Sequence, residues 1–202
     1  MEPLPLLLAI MPFALVNGFT PGPNNFMLAA SGANFGFRRT VPHIAGVVLG
    51  FTFLAFIVSI GLGGVMARSA LLHLILKYAG AAFLIYLAWR IATAAPHPEK
   101  AQKLRGRPLT FIEAALFQWV NPKAWLIVVG GIATYTSVDG DMLMEVSIFV
   151  ADLFLAALPA AIAWAALGAG INRLLGANPR ALRIFNIAMA LLLVASILPF
   201  FT

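Results

Sequence analysis

Apolar residues occur in long stretches along the chain, and short polar connectors separate these stretches. A helix of about 20 apolar residues is long enough to cross the hydrocarbon core of a bilayer. The pattern therefore predicts an all-α, polytopic membrane protein with six transmembrane helices. The predicted spans are 4–31, 40–64, 70–92, 109–135, 142–169 and 180–201.

The composition supports the same class of protein. Of the 202 residues, 62% are hydrophobic and only 10% are charged, whereas about 25% are charged in a typical soluble domain. The chain contains no cysteine, which excludes disulfides, thiolate chemistry and cysteine-ligated metals. Its three histidines are scattered, without a second ligand at helical spacing, so we predict neither a metal site nor a cofactor.

The lysine and arginine residues are distributed unevenly over the connectors. Ten of the 13 lie on or beside the first, third and fifth connectors, whereas Asp139 and Asp141 make the fourth connector acidic. Cytoplasmic connectors of membrane proteins carry an excess of positive charge. We therefore predict that the odd connectors are cytoplasmic and that both termini lie outside. The same rule accounts for the net charge of +6, so we expect no nucleic-acid partner.

A polar, proline-rich segment interrupts the first span near its centre. The segment is Thr20-Pro21-Gly22-Pro23-Asn24-Asn25. In a continuous helix its prolines would leave the carbonyls of Asn17 and Phe19 unpaired. Because an unpaired backbone group is costly in hydrocarbon, such a break persists only where it faces protein or a wet cavity. Pro21 lies 19 residues after Glu2 and 17 before Arg38, which predicts a helix broken at the membrane midplane.

The fourth span contains a second break, at Asn121-Pro122-Lys123. Lys123 lies 16 residues from both Arg107 and Asp139, so this break has a similar predicted depth. The two breaks therefore correspond to each other, and helices 1 and 4 are both predicted to be broken at the midplane.

Matching the two breaks divides the chain into two halves of three spans each. Repeat one is 1–95, repeat two is 109–202, and a basic cytoplasmic connector, 96–108, joins them. Because three is an odd number, the second half must enter the membrane from the opposite side. Two inverted three-helix repeats with broken helices are the common plan of secondary transporters. We therefore predict a single transmembrane transporter domain over 1–202.

Each break has the sequence of a helix start. Thr20-Pro21 and Asn121-Pro122 both match an N-cap residue followed by proline at the first helical position. The free N–H groups and the positive dipole end of such a half-helix favour binding of a carboxylate. Lys123 adds a positive charge at the same depth. The predicted substrate-binding residues are Thr20, Pro21, Gly22, Pro23, Asn24, Asn25, Gln118, Asn121, Pro122 and Lys123.

The same segments offer groups for an ammonium ion. The carbonyls upstream of the prolines are acceptors, and Asn24, Asn25 and Gln118 supply further amide groups. An amino-acid zwitterion carries both kinds of charge that such a site would bind. The alternative is that the prolines only kink two helices for packing, since proline is common in membrane helices.

Two other features of the spans have functional and structural interpretations. Asp152 lies within the fifth span and is the candidate for carrying a proton or pairing with a cation such as Lys123; the alternative is a carboxyl that hydrogen-bonds a neighbouring helix. Gly46 and Gly50 form a small-xxx-small pair in the second span. Such a pair allows close helix contact within the bundle or at the seam of a homodimer.

These segments resemble the LysE/RhtB family of amino-acid exporters. The resemblance is carried by the first break, by Gly36-Phe37-Arg38 and Ala45–Gly50, by Gly80–Trp89, and by Phe117–Lys123, and it covers nearly the whole chain. It implies efflux of amino acids or close derivatives across the bacterial inner membrane, driven by an ion gradient. The branch is similar to exporters of neutral substrates such as cysteine, O-acetylserine, threonine or homoserine compounds.

The sequence therefore predicts a secondary active exporter rather than an enzyme. The expected mechanism is alternating access with proton antiport, in which the lipid bilayer, a small amino acid and H⁺ are the partners. No Walker-type glycine loop is present, which excludes ATP hydrolysis by this chain. A passive channel is the main alternative. An intramembrane enzyme is another alternative, although the serines of the spans have no intramembrane histidine at a matching position.

Overall fold

In a computed structural model, every element formed by the described residues is a helix. The described residues are 2–62, 70–94, 107–136, 141–175 and 178–198, so the predicted connector 96–108 lies almost wholly outside them. The α-helices are α1 (Pro3–Phe19), α2 (Pro23–Phe35), α3 (Phe37–Ile57), α4 (Ala70–Ala92), α5 (Phe111–Val120), α6 (Pro122–Tyr135), α7 (Met142–Leu175) and α8 (Pro179–Ala195).

The first predicted span is broken where its prolines lie. α1 ends at Phe19, α2 begins at Pro23, and the two helices are bent by 52° relative to each other. The prediction that Thr20 caps a helix starting at Pro21 is wrong: Thr20 caps the end of α1, and Gly22 is the N-cap residue of α2. A residue before proline is disfavoured in the α conformation, so Gly22 is extended and the helix starts only at Pro23.

The fourth predicted span is also broken, and here the predicted cap is confirmed. α5 ends at Val120, Asn121 occupies the N-cap position, and Pro122 is the first residue of α6. A single proline is involved, so its fixed φ and missing N–H fit the first helical position without a conflict.

The long helix α7 is the centre of the bundle, because α1, α2 and α3 all pack against it. Its contact with α2 is made by small residues on both helices. A Cβ atom on Gly32 would meet the carbonyl oxygen of Ala165, and one on Gly168 would meet the carbonyl oxygen of Ala29. The two backbones therefore approach as closely as only glycine allows.

α3 is held against α5 by a similar contact. Gly46 faces the Phe111 carbonyl and the side chain of Ala114, and Gly50 faces Ala115. Of the two interpretations of this glycine pair, the structure therefore supports contact within the bundle. The turn that brings α3 back from α2 is made by Gly36, whose φ of 79° is the left-handed conformation that favours glycine.

α4 and α8 pack against each other on one side of the bundle. α8 also contacts α2 through a reciprocal amide pair in which Asn34 and Asn186 each donate to the other at 2.8 Å. Asn186 is fully buried, so this pair satisfies polar groups that would otherwise be costly inside the bundle.

The buried apolar side chains form two separate clusters, and the helix breaks lie between them. One cluster contains residues of α2 and α5, including Leu28 and Phe117. The other contains residues of α1 and α6, including Ile10 and Val128. The two halves of each broken span therefore belong to different clusters, and a polar layer separates the two.

The helices have the lengths and composition of a polytopic membrane protein. Among the described residues, Phe37–Gly61 and Met142–Leu174 are each long and apolar enough to cross a membrane, and the bent pair α1–α2 makes a third candidate span. The count of six spans and the inverted repeat stay predictions.

The contact between α2 and α7 predicts a position-specific effect of adding one methyl group. Gly168→Ala should lower the melting temperature of the purified protein by roughly 3–10 °C, because overpacking costs about 1–3 kcal/mol. Gly170→Ala, in the same helix, is the control, because a Cβ there meets no atom within 4 Å. Equal melting temperatures for the two variants, measured in the same detergent, would contradict this packing.

Candidate functional site

The two helices that begin at the breaks have no side-chain caps, unlike α5 and α8. The N-terminus of α5 has a capping box built by Thr110 and Glu113, and that of α8 is capped by Asn178. At α2 and α6, neither Gly22 nor Asn121 makes a side-chain cap hydrogen bond. In α2 the N–H groups of Asn24 and Asn25 come before the first hydrogen bond of the helix, which Phe26 N makes with Gly22 O. In α6 only the N–H group of Lys123 does so, because Pro122 has no N–H and Ala124 N donates to Asn121 O. These three N–H groups have no acceptor in their helices, so they are available to a ligand.

The C-terminal end of α1 is satisfied by donors from other parts of the chain. The Lys123 ammonium donates to Thr20 O at 3.0 Å, to Thr20 Oγ1 at 2.9 Å and to Pro21 O at 3.3 Å. The amide of Asn25 donates to Gly18 O at 2.9 Å and to Thr20 O at 2.8 Å. A cation at the negative end of the α1 dipole is a favourable arrangement.

The two carbonyls that the sequence predicts to be unpaired also have donors. The Thr20 hydroxyl donates to Asn17 O at 3.1 Å, and the Trp164 indole N–H donates to Phe19 O at 3.3 Å. The prolines do remove the helical partners of these carbonyls, but the fold supplies others.

A reciprocal amide pair joins the two broken spans on the other side of the site. Asn24 Nδ2 donates to Gln118 Oε1 at 2.9 Å, and Gln118 Nε2 donates to Asn24 Oδ1 at 3.1 Å. Gln118 Nε2 also donates to Ala114 O within its own helix at 2.9 Å. Gln118 is fully buried and Asn24 is half-buried, so the pair is partly shielded from competing water.

The two long-range contacts follow the same scheme. Asn24 and Lys123 each follow the proline that starts the second helix of a broken span. Each of them contacts the other broken span, either within its break or just before it. Asn24 bonds to Gln118, which we call the amide clasp, and Lys123 bonds to Thr20 and Pro21, which we call the lysine clasp. The two breaks are therefore tied to each other twice.

A cavity of about 60 Å³ lies between the two apolar clusters, next to both uncapped helix starts. Its walls come from α1, α2, α3, α6 and α7. It is lined by Ala14, Asn17, Gly18, Gly22, Asn24, Asn25, Val47, Phe51, Asn121, Lys123, Ala124, Ile127, Leu153, Ala157, Ala160 and Ala161. Apolar groups predominate, and the polar ones are concentrated at the two breaks.

The structure brings five of the ten predicted substrate-binding residues to this cavity. These five are Gly22, Asn24, Asn25, Asn121 and Lys123. The other five support the site without lining it: they are Thr20, Pro21, Pro23, Gln118 and Pro122. Asn17 and Phe51 also line the cavity, although the sequence did not predict them as site residues. Asn17 is a polar residue one turn before the first break, which is a usable signal, whereas nothing in the sequence distinguishes Phe51 from other apolar residues.

Asp152 is fully buried, and its two carboxylate oxygens have no hydrogen-bond partner among the described residues. The predicted pairing with Lys123 is not formed, because the Lys123 ammonium is bound at the end of α1. Asp152 does not line the cavity, but its neighbour Leu153 does. The carboxyl of Asp152 is therefore a buried polar group that the described part of the chain leaves without a hydrogen bond.

The chain is similar to known proteins over nearly its whole length. The family profile described as LysE type translocator matches residues 15–197. The cysteine/O-acetylserine efflux proteins of Escherichia coli (strain K12) and Shigella flexneri are each 33% identical to the chain over 190 residues, which is 94% of this chain and 94% of each relative. No solved structure matches the chain significantly.

Proposed function

Since the chain belongs to the LysE type translocator family, we propose that it is a secondary active exporter of small neutral amino acids. The relatives are cysteine/O-acetylserine efflux proteins, so cysteine and O-acetylserine are the first substrates to test. We place the protein in a bacterial inner membrane with both termini outside, on the basis of the charge asymmetry of its connectors.

One observation carries the proposal: the cavity between the two apolar clusters is bordered by two uncapped helix starts and by Lys123. Each of these groups attracts a negative charge. The cavity is otherwise apolar and small, which suits a carboxylate attached to a short side chain. Transport sites of secondary transporters are built in this way from discontinuous helices.

The packing supports an inverted repeat. The first broken span, α1–α2, packs on α7, and the second broken span packs on α3 chiefly through α5. When repeat one is matched to repeat two, α7 is the equivalent of α3, so these two contacts are equivalent to each other. α3 packs on α7, and α4 packs on α8, so these equivalent helices contact each other as a two-fold relation requires.

The clasps support alternating access. The lysine clasp lies at the end of α1, which the charge asymmetry assigns to the outer side of the break. The amide clasp involves α5, which lies on the cytoplasmic side by the same rule. In the proposed cycle the clasps open in turn, so that substrate enters after the amide clasp opens and leaves after the lysine clasp opens.

Asp152 is the candidate for coupling export to a proton gradient. It is buried without a hydrogen-bond partner among the described residues, and the adjacent Leu153 lines the cavity. A carboxyl that loses its proton only when one face of the cavity opens to water would link proton movement to the exchange of conformations.

The proposed function is tested by counterflow in proteoliposomes loaded with unlabelled cysteine or O-acetylserine. The purified protein should accumulate the labelled substrate transiently, and the cationic amino acid lysine should compete poorly because its second ammonium must enter an apolar cavity. Protein-free liposomes are the control. Equilibration without transient accumulation would indicate a passive channel, and no flux of either substrate would contradict the proposal.

Locking either clasp should stop transport. The chain has no cysteine, so cysteine pairs can be introduced at Asn24 and Gln118, or at Thr20 and Lys123, without interference. A short thiol-reactive crosslinker should lower O-acetylserine counterflow at least about tenfold relative to the same protein before treatment. The single-cysteine variants, treated identically, are the controls. Undiminished flux in either crosslinked pair would exclude alternating opening of that clasp.

Replacing the buried carboxyl of Asp152 should preserve substrate flux but weaken the coupling of that flux to the pH gradient. Asp152→Asn should retain counterflow but lose most of the acceleration that an imposed pH gradient produces, because the amide cannot release a proton. Asp141→Asn is the matched control, since Asp141 lies on the exposed end beside the same helix and accepts from Met144 N. If the pH gradient drives Asp152→Asn as it drives the wild type, the proton is carried elsewhere.

A further inference from the structure

The acceptors that the sequence offers to an ammonium group are already used by the protein. At the end of α1, Thr20 O and Pro21 O accept from the Lys123 ammonium, and Gly18 O accepts from the Asn25 amide. A second ammonium bound to the same carbonyls would displace these donors and would lie against the Lys123 charge. The amino group of a substrate therefore needs another acceptor.

Asn121 supplies such an acceptor. Its side chain is 2% exposed, it lines the cavity, and its Oδ1 is buried without a hydrogen-bond partner among the described residues. Asn121 is the N-cap residue of α6 but makes no cap hydrogen bond with its side chain. A buried amide oxygen without a donor is costly, so a ligand that brings a donor gains the free energy of pairing it.

The polar groups of the cavity therefore divide into two kinds. The positive charge of Lys123 and the first-turn N–H groups of α2 and α6 attract a carboxylate. The oxygen of Asn121 attracts a positively charged donor, and a charge-assisted hydrogen bond is roughly twice as strong as a neutral one. A ligand that carries both charges, such as a zwitterion, supplies a partner for each kind of group.

The volume of the cavity restricts the ligand further. A buried water needs about 10–15 Å³ in this measure, so the cavity of about 60 Å³ holds only a few atoms beyond the charged groups of an amino acid. Long or bulky side chains are excluded unless the helices separate.

The geometry points to Asn121 Oδ1 as the receptor for the α-ammonium group of a short-chain α-amino acid, and this assignment rests on the proposed export function. The substrate class is then α-amino acids with a free ammonium group and a short side chain. Analogues that lack the ammonium group, or carry an acyl group on it, leave the buried oxygen unpaired and are rejected.

The test compares two ligands that differ only in the amino group, cysteine and 3-mercaptopropionate. Binding is measured by calorimetry on the purified full-length protein in nanodiscs, which does not depend on transport. Wild-type protein should bind cysteine at least about tenfold more tightly, as expected for a hydrogen bond to a charged group. Asn121→Ala should reduce this preference to roughly twofold or less. Asn121→Asp, which keeps an acceptor and loses the donor, should retain the preference.

Asn34→Ala is the control for a general loss of structure. Asn34 pairs with Asn186 away from the cavity, so its removal should affect both ligands equally and leave their ratio unchanged. A wild-type protein without preference for cysteine would overturn the assignment. So would an Asn121→Ala variant that keeps the preference, or an Asn121→Asp variant that loses it. Failure of the export proposal shows separately, as an absence of counterflow.

Discussion

The structure depends on the pairing of backbone groups that prolines leave without helical donors at the breaks of two predicted membrane spans. An unpaired carbonyl in hydrocarbon costs several kcal/mol, and three prolines at the two breaks remove the usual helical donors. At the end of α1 the replacement donors come from Lys123, Asn25 and Trp164, which lie on three other helices. The first break is thereby held to the second one: two separate sets of hydrogen bonds, those of Lys123 and those of the Asn24–Gln118 pair, link the two kinks.

The same pairing decides which groups remain for a ligand. Carbonyl oxygens are the obvious acceptors at a broken helix, but here the protein's own donors occupy them. Among the described residues, what remains is a surplus of donors at the starts of α2 and α6 and the buried amide oxygen of Asn121. The site therefore offers donors for a carboxylate and an acceptor for an ammonium group. This arrangement follows from which polar groups the folded chain already pairs with each other.

Much of this arrangement could be predicted because its causes are local. A proline lacks an N–H and restricts the residue before it, so both breaks were placed correctly, and the cap at Asn121 was predicted correctly. The cap at Thr20 was wrong because two prolines spaced two residues apart act together: Pro23 holds Gly22 in an extended conformation and delays the helix. Gly46 and Gly50 were identified as contact residues, but their partner on α5 was not.

The sequence by itself determined the helical membrane class, the positions of the breaks and the polar residues around them, since these follow from apolar length and proline chemistry. Only the tertiary structure decided which groups pair. Asn24 and Gln118 are 94 residues apart, and Lys123 and Thr20 are 103 apart. Nothing local specifies such contacts, because they arise from how α7 packs against α1, α2 and α3. For the same reason, the sequence alone does not show that the Lys123 ammonium is hydrogen-bonded while the Asp152 carboxyl has no partner among the described residues.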